Sequence, residues 1–170
     1  MDSNGCFLQH STSKLQQYAG RIVVCLDKLT DDQIWMRGSE SQNSTGNLVL
    51  HLCGNVRQWI VSGVGGRPDV RQRDSEFEAR GGVLREELKS RLLDTVDEAS
   101  AVIDAAAGSD LTRKIVVQGY EVTVLEAIYH VVEHFSHHTG QILFATKLAT
   151  GEDLGFYRHL NKTNHGEKTP

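Results

Sequence analysis

Proline is almost missing from this chain: one stands at position 68 and the other at the terminal position 170. A proline inside a helix removes a backbone donor and clashes with the preceding turn, so the stretches on either side of Pro68 are free to run as long helices. Their apolar residues recur at the helical period. Over 6–29, Leu8, Leu15, Ala19, Ile22, Leu26 and Leu29 are separated by polar residues, which predicts an amphipathic helix. Thr30 with Gln33 three residues on fits a capping box, opening a short helical turn that carries Ile34 and Trp35. A polar connector at 38–43 leads to a second helix over 44–62, with Leu48, Leu52, Val56 and Trp59 on its apolar face.

Residues 63–82 are rich in glycine and charge and hold Pro68, so they read as a long surface loop; the glycines at 63–66 follow a helix, lack a phosphate-loop pattern and read as a linker. Leu84, Leu88, Leu92, Val96, Ala99 and Ile103 predict a third long helix over 83–107, with Gly108 as its stop and Glu87 and Arg91 paired on its outer side. Between 111 and 122 the period changes. Ile115, Val116 and Val117 precede Gln118-Gly119, and Tyr120 and Val122 follow, which predicts a short hairpin or extended crossing. Thr123 with Glu126 forms a second capping box, launching a last helix over about 123–149 that Gly151 ends. The polar stretch 159–170 reads as a frayed tail. With 170 residues, 18.9 kDa and no internal repeat, the chain is expected to form one all-α domain over 1–170. The expected fold is a four-helix bundle with a short extended hairpin before the last helix.

Charge and cysteine usage narrow the function. A net charge of -4 and a pI near 6.0 give no support to a nucleic-acid binder held by phosphate contacts. No apolar run approaches the roughly 18 residues of a spanning helix, and the N-terminus lacks a basic segment followed by an apolar one. Cys6, Cys25 and Cys53 are odd in number and lack C-x-x-C spacing, as expected of reduced thiols in a cytoplasmic protein.

Half of the eight histidines fall between positions 130 and 138. At about 100° per residue, Val124, Ile128, Val131, Phe135 and Ile142 share one core-facing stripe of the last helix. His134 and His138 lie together on its flank, in a column with the small residues Ala127 and Ala145, while His130 and His137 lie further round toward solvent. Two imidazoles four residues apart on one helical face can address a common transition metal, but zinc usually takes at least three protein ligands. The second helix supplies a candidate third: Asn47, His51, Asn55, Gln58 and Ser62 form a polar column at the border of its apolar face, as a ligand flanked by hydrogen-bonding partners would require. Ordinary readings stand beside these. His51 alone fits a hydrogen-bonded boundary residue, the His134/His138 pair a solvated helix surface, the amide column a solvent-facing strip, and Trp35 and Trp59 the core. His130-Val131-Val132-Glu133-His134 also spells H-x-x-E-H, an inverted zinc-protease signature, although only 36 residues follow His134 to supply a further ligand and a cleft.

The run Asn43-Ser44-Thr45-Gly46-Asn47-Leu48-Val49-Leu50-His51-Leu52, paired with His130-x-x-x-His134-x-x-x-His138-x-Gly140-Gln141, resembles the DinB-like superfamily over most of the chain. Phe156-Tyr157 after the last helix is similar to one of its uncharacterised subfamilies. The resemblance implies a bundle of up-down-down-up order, often a homodimer, with a divalent metal, commonly nickel or zinc, on three histidines. Carried onto this sequence the ligands are His51, His134 and His138, the same three that the helical wheel brings to notice. Relatives with an assigned activity resemble thiol-dependent transferases, acting with bacillithiol, mycothiol or glutathione, or metal-dependent hydrolases and isomerases. His137-His138-Thr139 departs from the aromatic and arginine common around the last ligand, a difference that bears on the substrate.

The leading expectation is therefore an open three-histidine site that acidifies water or a low-molecular-weight thiol, acting as a thiol S-transferase or hydrolase on a small molecule. Asn47, Asn55, Gln58 and Gln141 are the candidates for orienting ligands or substrate. No carboxylate falls in the expected columns, so the sequence names no general base. A reading from another class is a non-catalytic, dimeric binding or stress-associated module, in which metal removal changes little.

Overall fold

In the computed structural model, which describes residues 2–158, six α-helices and one antiparallel hairpin follow one another. They are α1 Ser3–Lys28, α2 Asp31–Trp35, α3 Thr45–Val56, α4 Arg73–Glu78, α5 Arg85–Ala105, β1 Lys114–Val117, β2 Tyr120–Thr123 and α6 Val124–Thr150. The frayed tail expected at 159–170 lies outside the described residues. Among those described, no helix is long and apolar enough to cross a membrane.

Helix starts follow local chemistry. Asp2 caps α1 by accepting from the Gly5 N–H, so this helix opens before its first apolar residue. The Thr30–Gln33 and Thr123–Glu126 capping boxes both form, and Ser44 with Asn47 makes a third at the start of α3. Gly151 ends α6 in the left-handed conformation that glycine adopts without a Cβ penalty.

The long helices α1, α3, α5 and α6 each pack on two of the others. Contacts along their lengths set their directions. Lys89 meets Asp27 at 2.7 Å and Thr12 meets Asp104 at 3.4 Å, so α1 and α5 run opposite ways. Lys28 pairs with Glu152 just beyond α6, while Tyr18 stacks on Phe135 at 6.4 Å, so α1 and α6 run alike. His51 lies beside His134 and His138 while Trp59 lies beside His130, which sets α3 against α6. Leu15, Ile22, Leu26, Leu52, Leu88, Leu92, Ile103, Ile128 and Phe135 are fully buried between these helices. Burying each such side chain stabilises the fold by about 1.5–3 kcal/mol before entropy opposes it.

The hairpin forms with Lys114 opposite Thr123 and Val117 opposite Tyr120. Gln118 and Gly119 both have positive φ, the two-residue turn whose twist matches paired strands. Val117 presses onto α3's continuation at Gly63, where an added Cβ would sit 2.5 Å from a Val117 methyl.

Three expectations need correction. The second helix does not run regularly to 62: α3 passes at Arg57 into a π-helical stretch, Arg57–Val64, a form concentrated at functional sites. The third long helix starts at Arg85 rather than 83 and ends at Ala105; Leu84 is its extended, 67% exposed cap and not part of the apolar face. The segment 63–82 is not a plain surface loop. It folds α4 and lies against α3 as a strap, pinned by Asn47 donating to the Glu76 and Ala79 carbonyls, by Arg37 donating to the Phe77 carbonyl, and by the Trp35 indole donating to the Val83 carbonyl.

Candidate metal centre

On α6 the expected core stripe is buried throughout, Val124, Ile128, Val131, Phe135 and Ile142 all being at most 1% exposed. That seating leaves His134 and His138 half-buried on the flank, with ring centroids 4.5 Å apart. His51 arrives from α3 at 6% exposure, 5.0 Å from each of the other two rings. Its Nε2 lies 2.9 Å from the Nε2 of His134. One ligand nitrogen from each of the three falls within 4.8 Å of the others, a cluster that could hold a metal ion.

The outer nitrogens have partners. The Nδ1 of His138 lies 2.7 Å from Gln141 Oε1, which accepts its proton and leaves Nε2 as the lone-pair atom. The Nδ1 of His51 lies 3.0 Å from Glu76 Oε2, a carboxylate delivered by the strap. Arg71 holds that carboxylate, its Nε and Nη2 donating to the two oxygens at 2.8 Å each. Arg71 Nη2 also lies 3.1 Å from His51 Nδ1, but two donors cannot bond one another, and both point to the shared carboxylate. Phe77 covers the His51 ring at 4.7 Å.

Electrostatics favour neutral imidazoles. Burial, reinforced by the neighbouring histidines, pushes His134 down to about 3, and burial also lowers His138. The neutral form is the one that ligates metal. Burial works against the charge on Glu76, but the hydrogen bonds from Arg71 and His51, with the Arg71 charge, outweigh it and hold the carboxyl below its ordinary range.

The remaining residues singled out by sequence divide. Gln141 touches the centre through His138. Asn47 is fully buried and serves the α3 capping box and the strap. Gln58 donates to Asp69 and accepts from Arg71 and Gln118, tying strap and hairpin to the π-helical stretch. Asn55, one turn beyond His51, is buried with no partner for its Oδ1 among the described residues, and the same holds for the buried indole N–H of Trp59. His137 is exposed, as expected, whereas His130 is not directed to solvent: it is half-buried with its ring 4.2 Å from Trp59. The His130 ring stacks on His134 at 5.5 Å, but the candidate ligand group is His51, His134 and His138, and Glu133 of the H-x-x-E-H string is exposed.

Arg71, Glu76 and Phe77 escaped the sequence reading because they sit on an aperiodic strap. One trace was present: Gly54 in the interior of α3, where glycine marks a close approach. A Cβ there would lie 1.9 Å from Glu76 Oε1 and 2.9 Å from Arg71 Nε.

Compared with the curated proteins, the chain finds no match. Residues 2–158 match a family model described as "Protein of unknown function (DUF1572)", and the chain belongs to that family.

Proposed function

We propose that the chain is a DinB-like metal-binding protein in which α1, α3, α5 and α6 make a four-helix bundle of up-down-down-up order and His51, His134 and His138 hold a divalent ion, nickel or zinc. The supporting observation is the convergence of three imidazoles, remote in sequence, whose candidate ligand atoms lie within 4.8 Å of one another. The donor set suits such an ion, because neutral imidazole nitrogens are common ligands of zinc, nickel and other divalent transition metals. Glu76 and Gln141 supply the outer hydrogen bonds that orient two of the rings. Three protein ligands leave a position open, the pattern of catalytic sites, whereas structural zinc is usually closed by four.

An ion bound there supplies Lewis acidity that lowers the pKa of a water or thiol at the open position. The chain's own residues would do the rest. Burial keeps His134 and His138 unprotonated near neutrality, Glu76 fixes the His51 proton on Nδ1, and Gln141 does the same for His138. This supports transfer to or from a low-molecular-weight thiol, or hydrolysis of a small molecule. Leu125 and Tyr129 near the start of α6, and Phe144 and Leu148 near its end, stand exposed, which supports a homodimer.

Metal content of protein purified without an affinity tag tests the reading, with one ion per chain expected and its loss in His51→Ala. A stoichiometric ion that survives His51→Ala overturns the ligand set. Turnover of an electrophile with a panel of small thiols is the next measurement; metal-loaded protein that turns over none of them favours a non-catalytic binding module.

A further inference from the structure

The strap spends a buried ion pair on a single histidine nitrogen. The side chains of Arg71 and Glu76 are 4% and 9% exposed, and Gly54 is left without a Cβ so that the pair can lie directly on α3. Asn47, Arg37 and Trp35 already pin it through backbone carbonyls. A buried ion pair is weak evidence for stability, because removing two charges from water offsets most of their attraction. A different role is written in the contacts. Glu76 Oε2 is shared between His51 Nδ1 at 3.0 Å and Arg71 Nη2 at 2.8 Å, two nitrogens that themselves lie 3.1 Å apart. The carboxylate can therefore direct its charge toward the imidazole only as far as the guanidinium leaves it uncancelled.

We propose that Arg71 and Glu76 are opposed positioning residues that set the metal affinity of the centre: Glu76 aims and strengthens His51 as a donor, and Arg71 restrains that effect by neutralising the carboxylate. This rests on the reading that His51, His134 and His138 hold an ion. Three neutral imidazoles and a cancelled carboxylate leave the charge of a divalent ion uncompensated by the protein, so the open position favours an anionic group such as a thiolate. Arg71 is thus the residue that keeps the ion hungry for an anion, at the cost of tighter metal binding.

The two residues act with opposite signs, which a merely structural pair does not. The measurement is zinc affinity of the full chain by competition with a chromophoric chelator at pH 8, each variant first shown to be folded by its unfolding transition. Glu76→Gln should weaken zinc about 10–100-fold. Arg71→Met should tighten it by about threefold or more, because the carboxylate's charge is no longer cancelled. Arg71→Lys, which keeps the charge, should stay within about threefold of the wild type and serves if Arg71→Met does not fold, being then compared with Arg71→Gln. Cobalt-substituted protein titrated with azide should bind the anion more weakly in the Arg71→Met or Arg71→Gln form, read in its visible spectrum. Equal losses of zinc affinity in Glu76→Gln and Arg71→Met, or no change in Glu76→Gln while the wild type binds one zinc, overturn the inference and leave the three-histidine reading intact. A wild type that binds no zinc overturns both.

Discussion

Replacing Gly54 by alanine sets two effects of known size against each other at one atom. In the interior of a helix alanine is favoured over glycine by about 1 kcal/mol. At this position the added methyl carbon would lie 1.9 Å from Glu76 Oε1, 2.8 Å from its Cδ and 2.9 Å from Arg71 Nε, so the ion pair must withdraw from α3. Withdrawal breaks the Arg71 Nε bond to Glu76 Oε1, now 2.8 Å, and hydrogen bonds to charged groups are each worth about 1.5–3 kcal/mol. The net expectation is a loss of about 0.5–2 kcal/mol. Gly20 is the internal control. It lies within α1 and nothing stands within 4 Å of its would-be Cβ, so Gly20→Ala should gain up to about 1 kcal/mol. The two variants should therefore differ by about 1.5–3 kcal/mol in urea unfolding of metal-free protein. At about 2–4 °C per kcal/mol for a chain of this size, their transitions should separate by roughly 3–12 °C. Gly54→Ala as stable as Gly20→Ala would refute the reasoning, since it would mean that the strap carboxylate has no fixed seat on α3.

Further outcomes follow from the same geometry. Because His134 is held near 3 and His138 also below the ordinary 6.5, the unfolded chain takes up protons that the folded one refuses once pH falls below about 6.5. Metal-free protein should thus lose stability from there downward, and His134→Leu should flatten the fall between pH 6.5 and 5; identical slopes in both proteins would contradict it. Asn55→Leu removes a buried carbonyl oxygen that has no partner among the described residues, so it should raise unfolding stability by about 1–2 kcal/mol, and a loss of that size would show that the amide is satisfied in solution. His137→Ala should leave metal stoichiometry unchanged while His138→Ala lowers it, because only His138 belongs to the cluster; elemental analysis of both decides.

What was legible in the sequence divides along periodicity. Val124, Ile128, Val131, Phe135 and Ile142 had to face the core together, and once they did, the rotation of α6 placed His134 and His138 without further choice. The same logic put His51 and Asn55 on one side of α3. Where α3 changes its winding at Arg57 the logic weakens, because a π-helical stretch advances side chains by a different angle, and His130, which meets Trp59 from that stretch, was misplaced toward solvent. It fails on 63–82. That segment has no long-range period, its α4 is one short turn-and-a-half, and its buried charges Arg71 and Glu76 look in sequence like any loop polarity. Their position is nonetheless recorded elsewhere. Gly46 in the first turn of α3 and Gly54 in its interior each stand where another segment comes too close for a Cβ: the Trp35 ring at 2.8 Å and the Glu76 carboxylate at 1.9 Å. A strap that leaves no pattern in its own residues therefore leaves one in the helix that receives it, and an unexplained glycine on the same helix as a candidate ligand is the place to look for that ligand's missing partner.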